Sequence, residues 1–187
     1  PTPNLHEVGA AWTHRALDDR LPRAHGRDAL LEQLEALVDR PGAAVLLVGP
    51  SGAGKTAIAV ELAYRLALRA TSPFERRDLW RVDANRIIAG MRVVGAWEER
   101  VSGMVEELSA RQDILFVEDL PALVFVGRSA HGDSNVAELL DPHLARGEIR
   151  MLGACTEARL EAVREENPGF FARFRVVRVP AMSERES

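Results

Sequence analysis

The chain is almost without lysine. Its 24 basic residues are 23 arginines and one lysine, Lys55. It is equally short of cysteine. Cys155 is alone, so no internal disulfide can form, and a reducing cytoplasmic setting fits that usage. There is no excess of positive charge: 28 acidic residues outnumber the basic ones, and the formal net charge is −4. The arginines are scattered among Asp and Glu as on a solvated face, which argues against a general attraction to nucleic acid or to an anionic membrane. Apolar runs stop well short of the ~20 residues needed to span a bilayer. No secretory leader is recognisable, and a chain that opens on Pro1 reads as an excised piece of something longer. What is present is the composition of one folded domain: 187 residues, 47% apolar and 28% charged, enough to bury a core.

Hydrophobic patterning predicts strands alternating with helices. Residues 27–40 carry apolar side chains at helical spacing and end before the breaker pair Pro41-Gly42. "AAVLLVG" is a continuous apolar run, as a strand covered on both faces should be. A helix from Lys55 follows, then a strand over 79–84, a helix over 96–111 and a strand over 113–119 that ends in two carboxylates. "SNVAELLDPHLARG" predicts a helix stopped at Gly147, and "EIRMLGAC" a strand. A helix near 157–165 and a strand over 175–179 complete the pattern. Such alternation implies parallel pairing with right-handed crossovers, hence a three-layer α/β domain.

Between the first strand and its helix lies G-P-S-G-A-G-K-T, a full match to the phosphate-loop pattern in its required context. Gly49, Pro50, Ser51, Gly52, Ala53, Gly54, Lys55 and Thr56, with Ala57 behind them, are therefore the candidate nucleotide-binding residues. The glycines let successive N–H groups turn inward toward phosphate oxygens, and the helix adds its positive N-terminal end. Lys55 supplies a compact charge on a flexible stem, where a guanidinium would arrive as a wide planar fork. That difference explains why the one lysine stands here. The Thr56 hydroxyl is placed to reach Mg²⁺.

A phosphate-bound Mg²⁺ calls for a carboxylate at the end of a neighbouring buried strand, and hydrolysis calls for a group that orients water. "ILFVED" offers Glu118 for the metal shell and Asp119 for the base, so Thr56 and Glu118 are the candidate metal ligands.

With these residues in place the chain resembles the first ATPase module of the Clp-type AAA+ ATPases, the unfoldases and disaggregases that assemble into rings. The resemblance runs from about Leu21 to Pro180 and is carried by "GRDALLEQLEALVDR", "LLVGPSGAGKTAIAVELAYRL", "IIAGMRVVGAWEER", "ILFVED", "AELLDPHLARGEIRMLGACTEARL" and "FFARFRVVRV". It implies a five-stranded parallel sheet of order 5-1-4-3-2 in an AAA+ nucleotide-binding domain over 21–180. Residues 1–20 would be a linker segment, and 181–187 the start of a linker to a helical lid that the chain does not contain. It implies ATP with Mg²⁺ held between copies in a ring, commonly a hexamer, with protein clients and a cytoplasmic location. Ala24, His25 and Gly26 fall where such modules pack the adenine, although His25 replaces an apolar residue and reads equally as a surface histidine at a helix start. Thr156 matches the polar sensor of the terminal phosphate; a cap for the next helix is the alternative. Cys155 reads as core filler, since no histidine partner is evident.

Three departures from the family pattern stand out. The strand end is inverted, Glu118 then Asp119 where Asp then Glu is usual, so each carboxylate is displaced by one methylene. A misplacement of about 1 Å can cost 10²-fold in rate, which points to slow hydrolysis. The usual arginine pair before the last strand is Ala172-Arg173 here, leaving Arg173 as a single trans-acting finger, a group worth about 10³–10⁵ in rate. The pore segment has Val93 where an aromatic normally grips polypeptide, and Trp97 reads as packing. The expected function is an ATP-hydrolysing remodelling module, with Asp119, Glu118, Thr156 and Arg173 as its catalytic set. The alternative is an ATP-binding scaffold or switch with little turnover. A DNA-handling ATPase is disfavoured for want of a basic stripe.

Overall fold

A computed structural model of the chain describes residues 1–23, 25–72, 75–91, 93, 95–128 and 132–181. The chain begins with three short elements, α1 (Pro3–Val8), β1 (Gly9–Ala11) and α2 (Trp12–Leu17). Then follow α3 (Asp28–Val38), β2 (Ala44–Val48), α4 (Lys55–Arg69), β3 (Leu79–Val82), α5 (Ala84–Ile88), α6 (Ala96–Arg111) and β4 (Ile114–Val117). A 3₁₀ turn over Leu120–Val124 leads to α7 (Val136–Ala145), β5 (Arg150–Cys155), α8 (Glu157–Val163), α9 (Pro168–Ala172) and β6 (Arg175–Arg178). Among the described residues no helix is long and apolar enough to cross a membrane.

Among the described residues the strands form one six-stranded sheet of order β1-β3-β4-β5-β2-β6. Five of them run parallel; β1 lies antiparallel against β3, with Gly9 opposite Val82 and Ala11 opposite Trp80. The expectation of a five-stranded, wholly parallel sheet of order 5-1-4-3-2 is therefore corrected. The anticipated strands stand side by side as β6-β2-β5-β4-β3, and the sheet is completed, and made mixed, by an edge strand from before Leu21. Gly9-Ala10-Ala11 has no β-branched or aromatic side chain to announce a strand. It is held there because α1 buries Leu5 and Val8 and α2 buries Trp12 and Ala16.

Strand alternation divides the core into two layers. Val45 and Leu47 of β2 face the side covered by α2, α3 and α4, together with Phe116 and Leu152. Leu46 and Val48 face the other side with Trp80, Leu115, Met104 and Phe170, under α1, α6, α7 and α9. Both faces are covered, so β4 reads as an unbroken apolar run, and its first polar residue, Glu118, appears where the strand leaves the core. The functional residues gather at this C-terminal edge of the parallel strands.

Candidate functional site

The phosphate loop is shaped by two constraints visible in its glycines. A Cβ at Gly49 would collide with the Val179 carbonyl, since β2 and the chain leaving β6 are hydrogen-bonded there. Gly54 takes φ +87°, a left-handed conformation that side chains disfavour, and serves as the N-cap of α4. With no side chain to accept from them, the first N–H groups of α4 stay available for an anion. Lys55 Nζ donates to the carbonyls of Gly49 (2.7 Å) and Pro50 (2.8 Å), which sets the ammonium inside the curl of the loop. An ammonium has three donors, so a further one can face a phosphate.

Across an open cleft of about 640 Å³ from Ser51, Gly52, Gly54, Lys55, Thr56 and Ala57 stand Glu118, Asp119, Cys155, Thr156 and Arg159. Each carboxylate has its own arginine. Glu118 Oε2 accepts from the Arg81 guanidinium at 2.7 Å, and Asp119 Oδ2 from that of Arg159 at 3.3 Å. Thr156 is the N-cap of α8, its Oγ1 accepting the Arg159 backbone N–H at 3.2 Å. It caps the helix and lines the cleft at once. Cys155 is buried at the end of β5; burial, then the nearby Asp119 charge, push its thiol up to about 11, while Lys55 and Arg159 pull it down. At neutral pH it is a protonated core side chain and no nucleophile.

A second, more apolar cavity adjoins the loop, lined by His25, Arg27, Leu31, Ala53, Gly54, Ala57, Ile58 and Glu61. His25 is exposed at its rim, and Ala24 lies outside the described residues. The Arg23 guanidinium grips Glu61 at 2.7 and 3.0 Å and lies 4.3 Å from the Tyr64 ring centroid. Arg27 donates to Pro180 O at 3.0 Å, tying this rim to the chain beyond β6.

Not every sequence-predicted residue converges here. Arg173 ends α9 away from the cleft and pairs with Asp141 of α7. Val93 is 73% exposed between α5 and α6, and Trp97 is partly buried against the core, beside Gly127. Sequence reasoning missed Arg81, Arg159 and the Arg23–Glu61 pair. Arg81 was detectable only through register: it sits opposite Phe116, so its side chain shares a sheet face with that of Glu118 two residues on.

The donor set fits a nucleoside triphosphate with Mg²⁺. A glycine loop with Gly52 and Gly54 in left-handed conformations, an ammonium, a hydroxyl at Thr56 and a carboxylate at Glu118 are what phosphates and a hard, oxygen-seeking cation require. A phosphate loop between buried strand and helix, facing the acidic end of another parallel strand, defines a P-loop nucleotide-binding domain. Residues 45–177 match the family described as "ATPase family associated with various cellular activities (AAA)", and the chain belongs to that family. It is 31% identical to the chaperone protein ClpB of Aquifex aeolicus over 98% of this chain and 18% of that protein. It is 34% identical to the chloroplastic chaperone protein ClpC of Pisum sativum, over 96% of this chain and 20% of that protein. It superposes on Hsp104 in a closed-state cryo-EM reconstruction with ATPγS and FITC casein at a TM-score of 0.84, with 26% identity, covering 98% of this chain and 31% of that one. The chain thus has the character of a Clp-type AAA+ module and spans about a fifth of the length of these curated relatives.

Proposed function

We propose that this domain binds ATP with Mg²⁺ in the cleft between the phosphate loop and the ends of β4 and β5, and hydrolyses it slowly as one module of a Clp-like protein-remodelling ATPase. The observation that carries the reading is the convergence of Lys55, Thr56, Glu118, Asp119 and Thr156 on one cleft, beside a more apolar cavity that adjoins the phosphate loop. In this reading the α4 N–H groups and Lys55 hold the phosphates. Thr56 and Glu118 hold the metal, which when bound screens phosphate charge and acts as a Lewis acid. Asp119 orients the attacking water and accepts its proton, and the Thr156 hydroxyl contacts the terminal phosphate. The adenine lies against Ile58 and Leu31 near His25. Arg173, partly exposed and outside its own cleft, serves the nucleotide of a neighbouring copy in a ring, a hexamer by analogy with the family. Clients are proteins and the setting cytoplasmic. Val93 gives the pore segment no aromatic grip, so polypeptide is threaded weakly.

Calorimetry with MgATP tests the nucleotide reading. Lys55→Ala is expected to weaken binding by about 10²-fold or more, since charge-assisted hydrogen bonds to phosphate are lost; equal affinities would overturn the assignment. A second reading, a nucleotide-dependent scaffold with little turnover, is favoured by the Arg81–Glu118 and Arg159–Asp119 pairs, which neutralise both carboxylates. Undetectable phosphate release from the assembled full-length protein would select it.

A further inference from the structure

Arg159 has no part in the roles assigned above, yet it stands in the cleft. It occupies the first turn of α8, and the bond from its backbone N–H to Thr156 Oγ1 fixes its base. Its guanidinium lies 5.9 Å from the Phe125 ring centroid and meets Asp119 Oδ2 at 3.3 Å. The side chain is 42% exposed and lines the same cleft as Lys55 and Thr56. The Cys155 thiol feels Asp119, Lys55 and Arg159 together, which puts all three charges around the end of β5.

A guanidinium offers five donors in a planar fork, and the bond to Asp119 uses one of them. A carboxylate carries one negative charge. The terminal phosphate of ATP carries more, and presents oxygens that suit bidentate contact. The two therefore compete for Arg159, and the phosphate has the advantage. ADP has no third phosphate and offers no such competitor.

We propose that Arg159 is a terminal-phosphate sensor acting within its own chain, leaving Asp119 for the third phosphate when ATP is bound and returning to Asp119 with ADP. The proposal rests on the nucleotide-binding reading above and deepens it. Asp119 is released to act on water only when there is a phosphate to remove, and is clasped again once the product remains. Arg159 thereby contacts substrate directly and positions Asp119 by letting it go.

The test is calorimetry on the intact protein with a non-hydrolysable ATP analogue and with ADP, for wild type, Arg159→Ala, Arg159→Lys, Asp119→Asn and the Asp119→Asn/Arg159→Ala double variant. Arg159→Ala is expected to weaken the triphosphate by roughly 10- to 100-fold and to leave ADP within about twofold. Arg159→Lys, with charge but no fork, falls between. Asp119→Asn frees the guanidinium and tightens the triphosphate by about 3- to 10-fold, an effect that vanishes in the double variant. A purely structural arginine would lower both affinities together. An unchanged ATP-to-ADP ratio in Arg159→Ala overturns the proposal while the nucleotide reading stands. Wild type that binds neither nucleotide overturns both. The thermal midpoint of Arg159→Ala serves as the folding control; the side chain is partly exposed and its α8 contact is through the backbone, so little change is expected.

Discussion

Exchanging the two carboxylates, Glu118→Asp together with Asp119→Glu, asks whether their order limits the chemistry. Each substitution moves a carboxylate by one methylene, about 1.5 Å. The backbone at Asp119 cannot follow, because Leu120 and Leu123 just beyond it are fully buried. A glutamate at 119 therefore extends into the cleft, past the present contact with Arg159. At position 118 the shorter aspartate withdraws from Arg81, whose bond to Glu118 is 2.7 Å long. Both partners of that pair are about a third exposed, so its loss costs at most about 1 kcal/mol of stability. The effect on turnover is larger. A water held about 1 Å out of line costs about 10²-fold, so the exchange is expected to raise phosphate release by roughly 10- to 100-fold over a slow wild type.

The assay is steady-state phosphate release at saturating ATP and Mg²⁺ by the full-length, oligomeric protein, with Asp119→Asn in parallel. Loss of a general base removes about 10²–10⁴ in rate, so Asp119→Asn should retain ATP binding and lose nearly all turnover. An exchange that abolishes turnover while wild type remains active would show the inverted order to be tuned, not damaged. If neither variant changes the rate, Asp119 takes no part in hydrolysis and the role given to it is wrong.

Two further outcomes concern stability. Asp113 is fully buried and accepts from the Asp78 N–H (2.8 Å) and the Trp80 indole N–H (3.0 Å); Asp113→Ala leaves both donors unpaired, at about 1–3 kcal/mol each, partly offset because burial already pushes this carboxyl up. A loss of about 3 kcal/mol in urea unfolding is expected, and a loss below about 1 kcal/mol would contradict that network. Glu148 is held down to about 2, first by its hydrogen bond from Arg146 and then by that from His143. Its folded value lies below the ordinary 4.5, so its contribution is present above that pH and lost as pH falls from about 4.5 toward 2. Glu148→Gln should flatten the acid limb of the stability profile in that window, and an unaltered limb would count against the pairing.

The long elements and the loop were legible because their signals are local. Residues 96–111 have a helical period and form α6 over those residues; the apolar runs became β2, β4 and β5 with ends shifted by a residue or two. The elements missed are short. Asn167 followed by Pro168 was a readable helix start for α9, with Asn167 Oδ1 accepting from Phe170 N–H at 3.2 Å. Residues 3–17 carry no comparable sign. Their place depends on partners far along the chain: Asn4 and Leu5 donate to the Glu107 carboxylate, and Thr13 and His14 meet the buried Asp78. The same holds in the cleft. Lys55 was found by motif, whereas Arg81 and Arg159 are defined by strand register and helix placement, which spacing alone does not reveal.

The arginines and the single lysine divide their work by shape. Arg69 grips Asp39 with two bonds of 2.7 and 3.0 Å, Arg65 spans Asp28 and Glu35, and Arg150 reaches the carbonyls of Val38 and Asp39 from a buried position. Arg69 and Arg65 use the breadth of a planar fork to join two acceptors, whereas Arg150 reaches both carbonyls from its Nη1 alone. The inside of the phosphate loop sets the opposite demand. There the cation meets the carbonyls of two successive residues, Gly49 and Pro50, from one point. A round ammonium does this and still has a donor left for a phosphate, where a guanidinium would arrive as a wide planar fork. Overall composition favours arginine wherever a fork serves. The phosphate loop exempts one position, which shares its side of the cleft with Thr56 and faces Glu118 and Asp119 across it.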